Sequence, residues 1–157
     1  MTTRKSYTLT EATKKVEYYC AYQERCHKEV AAKLREMRMI PEAIDQIIVH
    51  LIKENYLNEE RFAHSFVRGK FNIKKWGKKR IELELKRRDI SPFLIRTALK
   101  EIDNRAYQET LDTLIHKKLA TLKESNIQKK KKKLADYLLY RGWESHLVYD
   151  KLNNLVK

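Results

Sequence analysis

Three tandem three-helix repeats, forming an elongated and curved all-α molecule, are what this sequence predicts, and three observations predict it. Turn formers are scarce, with three Gly and two Pro in 157 residues. That disfavours the tight hairpins of sheet proteins. Charged residues make up 36% of the chain and its mean hydropathy is −0.72, which suits solvated helices with narrow apolar stripes. Most informative is an internal repeat. Val30, Leu34, Met39, Ile44, Ile48 and Leu51 recur 51 residues later as Ile81, Leu85, Ile90, Ile95, Leu99 and Ile102. They recur a further 53 residues on as Leu134, Leu138, Trp143, Val148, Leu152 and Leu155. Identical internal spacing in three copies means tandem supersecondary units.

Each copy reads as helix, turn, helix. Its first two positions are i,i+4, one face of a short helix, and its last three are i,i+4,i+7, one face of a second. Between them lies a turn ending in a helix start. Ser91-Pro92 is a good N-cap and first-turn pair, since Pro loses no needed N–H there. Pro41-Glu42 fits the same place, the acid complementing the helix N-terminus. Ser145 is the expected cap of the third copy. An upstream helix precedes each pair. It carries Val16, Tyr19 and Cys20 in the first copy, Phe62, Ala63, Phe66 and Val67 in the second, and Leu111, Leu114 and Ile115 in the third. The expected units are residues 8–57, 58–103 and 104–157. The tight pair in each has the shape of a helix-turn-helix motif. Two readings of it stay open, a groove reader and a plain helical repeat. A unit of about 50 residues is marginal alone, so stacking on neighbours is expected.

Lys and Arg number 35 against 21 Asp and Glu, a formal net charge of +14. The excess points to a polyanionic partner, nucleic acid first. Ten bases fall between Arg68 and Arg88: Arg68, Lys70, Lys74, Lys75, Lys78, Lys79, Arg80, Lys86, Arg87 and Arg88. Only Glu82 and Glu84 oppose them, each four residues ahead of a base, Lys86 and Arg88. The candidate docking surface is this segment, on a turn around Gly77 that projects from the packed helices. Phe71 and Trp76 lie among the bases. They either stack on a partner or pack in the inter-repeat core. The run Lys129 to Lys133, with Lys129, Lys130 and Lys131 as candidate contacts, looks like a loop or frayed first turn, because cations disfavour a helix N-terminus. Tyr18, Tyr19 and Tyr22 cluster on the first helix, where core and rim packing is expected.

Catalytic and metal-binding signatures are missing. His27, His50, His64, His116 and His146 are scattered, and Cys20, Cys26 and His27 lack zinc-ligand spacing. Three isolated glycines, Gly69, Gly77 and Gly142, build no phosphate loop. The expectation is a binding protein without catalytic residues, cofactor or metal. With no leader-like or membrane-spanning apolar stretch and two cysteines read as reduced and structural, a cytoplasmic protein is expected.

The middle copy carries a resemblance. Leu57, Asn58-Glu59-Glu60-Arg61-Phe62-Ala63, Phe66-Val67-Arg68, Gly77, Arg80-Ile81-Glu82-Leu83-Glu84-Leu85 and Arg88-Asp89-Ile90 together resemble the signature of the RecX family. Two positions depart from it. In the first copy, Cys26 stands where a serine is usual in the family, and a sulfur is a poor cap. Asp89 replaces a glycine, though Asp tolerates a left-handed backbone better than most residues. The resemblance implies a regulator in homologous recombination, DNA repair and the SOS response. Such a protein binds RecA and its filament on single-stranded DNA and restrains strand exchange and ATP hydrolysis. It also implies a monomer with no small-molecule substrate, and duplex DNA is a further possible contact. The alternative is a helix-turn-helix nucleic-acid-binding module with no recombinase partner.

Overall fold

The computed structural model describes residues 6–157. Among the described residues there are nine helices and no strand. They run α1 (Leu9–Tyr22), α2 (His27–Glu36), α3 (Pro41–Lys53), α4 (Glu59–Asn72), α5 (Lys78–Arg87), α6 (Pro92–Leu99), α7 (Asn104–Thr121), α8 (Ile127–Tyr140) and α9 (Ser145–Leu155). The first helix of each triplet starts after a polar residue whose side chain accepts a backbone N–H: Thr8, Asn58 and Asp103. Such caps satisfy donors the helix itself leaves unpaired.

The threefold pattern sets burial on these helices. Val16, Ala63 and Leu111 are buried, as are Cys20, Val67 and Ile115. Tyr19, Phe66 and Leu114 are half-buried at the position between them. Val30/Leu34, Ile81/Leu85 and Leu134/Leu138 are all fully buried.

The five-residue step from the second to the third repeat position has a backbone cause. Met39 N–H bonds the Leu34 carbonyl, Ile90 the Leu85 carbonyl and Trp143 the Leu138 carbonyl. Arg38, Asp89 and Gly142, just before, donate to Arg35, Lys86 and Leu139. These are the paired bonds of a Schellman turn, which needs a left-handed residue. Arg38, Asp89 and Gly142 have φ of 64°, 58° and 93°. The repeat is therefore also a repeat of one helix-ending turn, and its apolar pair packs across that turn.

The structure corrects several expectations. Leu155 is exposed, and Val156 is buried in its stead. Ile48 and Leu99 are half-buried, while Ile47 and Ala98, one residue earlier, are buried. The third helix thus meets its unit through i,i+3,i+7 in the first copy and i,i+3 in the second, where Ile102 is buried just past the end of α6. Ser145 is the first helical residue rather than the cap; Glu144 holds the cap position with no side-chain cap bond. Lys129–Lys133 are helical, inside α8, because Asn126 accepts the Lys129 N–H at 3.0 Å and starts the helix ahead of them. At Cys26 the Glu29 carboxylate accepts the Cys26 N–H, and the next donor, His27 N–H, goes to Glu59 of the following unit at 3.0 Å.

Two cores result. One belongs to α1–α3; the other runs continuously through α4–α9 and includes Cys26. Arg61 joins them. It pairs with Glu24 and also donates to the Asn55 side chain and carbonyl at 3.0 Å each. Lys28 reaches the Arg87 carbonyl at 2.8 Å from the other side.

Candidate docking face

Two of the three glycines position the candidate site. The turn before α5 does not project. It lies against the turn before α9, backbone on backbone. Gly77 N–H donates to the Arg141 carbonyl at 2.9 Å and Lys79 N–H to the Gly142 carbonyl at 3.0 Å. A Cβ on Gly77 would stand 2.4 Å from the Gly142 oxygen. A Cβ on Gly142 would stand 2.3 Å from that of Arg80. Only a residue without a side chain permits this approach. Trp143, buried in the joint, donates its indole N–H to the Lys75 carbonyl at 3.2 Å. Tyr107 stacks on Trp143 with centroids 4.4 Å apart, accepts the Lys78 N–H at 2.8 Å and donates to Glu144. Burial, reinforced by Glu144, holds the Tyr107 hydroxyl well above the usual phenol range. The backbone groups, indole and phenol of the joint are thus hydrogen-bonded, as buried polar groups generally are, while the buried Arg141 Nε has no partner.

Beside it runs a stripe of alternating cations and rings. The Arg88 guanidinium lies 4.9 Å from the Phe66 ring centre. The Lys70 ammonium lies 5.3 Å from Phe66 and 4.9 Å from Trp76. Arg80 lies 4.1 Å from Trp76 and 5.1 Å from Tyr140. Cations over ring faces are attracted by about 0.5–1 kcal/mol at exposed sites. The rings therefore hold otherwise mobile side chains in place. Burial, with Lys74 and Arg88 close by, holds the Lys70 ammonium below the usual lysine range. An anion seated there would relieve that repulsion. Glu84 is the acid in the stripe. Its hydrogen bond from Arg88, at 3.0 Å, and its contact with Arg87 hold its carboxyl below the usual range. Phe62, Phe66, Ile73 and Lys74 with Glu24 and Glu29 bound an adjoining cleft of about 350 Å³.

The predicted docking residues divide among several places. Lys70, Lys74, Arg80, Arg87 and Arg88 share the stripe or its rims, Lys79 is exposed at its edge, and Lys75 is exposed in the turn before α5. Lys78 turns the other way, its ammonium 4.6 Å over the Tyr107 ring. Arg68 is exposed but lies away from the stripe: two residues from both Phe66 and Lys70, it sits about 200° around the helix from each. There it pairs with Glu101 at 3.1 Å, beside the His64–Glu101 contact at 2.6 Å. Lys129, Lys130 and Lys131 lie at the opposite end of α8 from Tyr140, about 16 Å along the axis. Lys131 reaches Asn153 on α9 at 3.4 Å. Of the two aromatics, Phe71 is core and Trp76 is half-buried in the stripe.

Sequence reasoning missed Tyr140, which is 77% exposed, and the pairing of Gly77 with Gly142, 65 positions apart. Neither leaves a local signal. Charge by unit was legible and decides which face matters. Residues 8–57 hold eight bases and eight acids, residues 58–103 thirteen and seven, and residues 104–157 twelve and six. The excess therefore lies on α4–α9.

Among the described residues no His, Cys, Asp and Glu side chains group so as to hold a metal ion. None of the helices is long and apolar enough to cross a membrane. A tandem array of three-helix units, each closing with a helix-turn-helix pair and together presenting a cation–aromatic stripe, defines a helical-repeat scaffold. Residues 58–99 match the second three-helix domain of RecX, and residues 106–152 match the third. A regulatory protein RecX of Chlorobium phaeobacteroides is 30% identical over 135 residues, covering 86% of this chain and 87% of its own length. One from Oceanobacillus iheyensis is 29% identical over 94% of this chain. This chain spans about half the length of that relative, 52%. The crystal structure of RecX from Lactobacillus salivarius superimposes with a TM-score of 0.79 at 27% identity, covering 93% of this chain and 94% of that one. The chain belongs to the RecX family of regulatory proteins.

Proposed function

We propose that this chain binds the RecA filament on single-stranded DNA and restrains its strand exchange and ATP hydrolysis, docking through the stripe from Arg88 to Tyr140. The observation that carries the proposal is that stripe, a preorganised row of cations on the more basic part of a RecX-family fold. Lys70, Lys74, Arg80, Arg87 and Arg88 are its central contacts, with Lys79 at the edge and Lys75 in the turn before α5. Lys129 and Lys130 are secondary, and Arg68 and Lys78 serve the fold more than the partner. The protein acts by binding and not by catalysis.

The test replaces Lys74, Lys75 and Lys79 together by Gln. All three are exposed, so stability should change by no more than about 0.5 kcal/mol per site. Inhibition of single-strand-dependent RecA ATPase should weaken. The salt dependence of DNA or filament affinity should flatten by about 0.7 for each phosphate no longer neutralised. An unchanged slope with unchanged inhibition would make the stripe a solvated face. If the wild-type chain binds DNA but leaves the RecA ATPase untouched, the protein is a nucleic-acid-binding module without a recombinase partner.

A further inference from the structure

The first unit carries a second aromatic surface that the stripe does not use. Tyr18 and Tyr22 were expected to be core or rim, yet each is 74% exposed. With half-buried Tyr19 they line an open groove on α1. The remaining lining is Lys14, Lys15, Arg25 and Lys33, with no acid among it. This is half the bases of a unit whose charges cancel overall, eight against eight over residues 8–57. Arg25 and Lys33 are held at the rim by Tyr19, 3.6 Å and 5.6 Å from its ring centre. Arg25 is fixed further by donating to the Tyr19 carbonyl at 3.0 Å.

The geometry points to a binding platform for a single nucleic-acid strand, its bases on the Tyr18 and Tyr22 rings and its phosphates at the surrounding cationic side chains. Aromatic rings in a cationic groove recognise single strands because every base has a π-face and every link a phosphate. Spacing selects against duplex. Tyr18 and Tyr22 are four residues apart, about 6 Å along the helix axis, whereas bases follow at about 3.4 Å along each strand of a duplex. Bases seated on both rings must be unstacked from one another, which a paired helix resists. This site is separate from the stripe on α4, α5 and α8 and does not rest on the recombinase reading.

The experiment uses the full chain, a fluorescent oligothymidylate, the matching duplex and no RecA. Replacing 5-methyl by 5-bromo on the bases allows photocrosslinks to be mapped. Crosslinks are expected on the peptide holding Tyr18 and Tyr22. Tyr18→Ala with Tyr22→Ala should lower single-strand affinity at least about fivefold per ring, with the salt slope unchanged and thermal unfolding unmoved. The double Phe variant should bind as wild type, because the ring and not the hydroxyl makes the contact. Lys14→Gln with Lys15→Gln should instead flatten the slope. Crosslinks confined to α4–α9 would overturn the proposal. So would unchanged affinity of the double Ala variant, equal losses on duplex and single strand, or a Phe variant as weak as the Ala one. If the double Ala variant keeps its oligonucleotide affinity but no longer inhibits RecA in a parallel assay, the tyrosines are a protein contact, and that also overturns it.

Discussion

Three substitutions of the same kind, Gly to Ala, should give opposite results at the three glycines of this chain. At Gly77 the new methyl would meet the Gly142 carbonyl oxygen at 2.4 Å and the Trp143 nitrogen at 2.5 Å. All the nearby atoms are backbone, so nothing flexible can yield. The joint must open. Two inter-unit backbone bonds, Gly77 to Arg141 and Lys79 to Gly142, would break or stretch, at about 1 kcal/mol each. Strain of the kind seen in overpacked cores adds about 1–3 kcal/mol. The expected loss is therefore about 3–5 kcal/mol. Gly142→Ala carries the same clash, against Arg80 Cβ at 2.3 Å, and its φ of 93° adds a conformational cost of about 1–2 kcal/mol. Gly69 lies inside α4 with nothing within 4 Å of a Cβ. There Ala should stabilise by about 0.5–1 kcal/mol, since Gly is a poor helix former. Urea unfolding of the four proteins measures all three changes. The first two variants should also lose affinity for filament and DNA, because Arg80 follows the joint and Tyr140 precedes it. A Gly77→Ala protein within about 1 kcal/mol of wild type, with unaltered binding, would refute the idea that backbone contact between the second and third units builds the docking face.

Phe62→Ala should cost about 3–5 kcal/mol in the same assay, because Phe62 is 4% exposed in the main core; a small thermal shift with abolished RecA inhibition would instead make it a contact residue. Arg38→Gly should stabilise by about 0.5–1 kcal/mol, since Arg38 is exposed and left-handed at φ 64°; differential scanning calorimetry would show a raised Tm. Burial pushes the Cys20 thiol up to about 11 and the Cys26 thiol up to about 12, from an ordinary 9.0. Both are raised acids that stay protonated longer in the folded chain. Their stabilisation is thus complete below pH 9 and falls as pH rises toward 11 and 12, by up to about 1.4 kcal/mol per thiol per pH unit. Urea titrations from about pH 8 to about pH 11 should show that decline, and it should shrink in a Cys20→Ala, Cys26→Ala protein. Thiol reagents should label neither cysteine at about pH 8 until the chain unfolds.

What the sequence determined by itself was mostly what is local and periodic. Helix positions, the threefold spacing and the buried pairs from Val30/Leu34 to Leu134/Leu138 follow from side-chain period and from turn chemistry within a few residues. Asp89 was legible as a left-handed residue because Asp tolerates that backbone. Arg38 at the equivalent place was not, because Arg does not favour a left-handed backbone and the Schellman bonds hold it there against its own preference. Lys129–Lys133 were misread as loop because charge at a helix start is only a weak penalty, and the Asn126 cap with the apolar face of Leu134 and Leu138 outweighs it. Tertiary structure alone decided which charges act together. Arg68 and Lys70 are two residues apart on α4, and packing brings Glu101 to the first and Trp76 to the second. Arg80 and Tyr140, sixty residues apart, meet because Gly77 and Gly142 let two backbones touch. Proximity across a fold depends on how units pack, and packing is set by contacts between distant segments. The row of cations along Phe66 and Trp76 therefore reaches Tyr140 only once the second and third units have closed on each other.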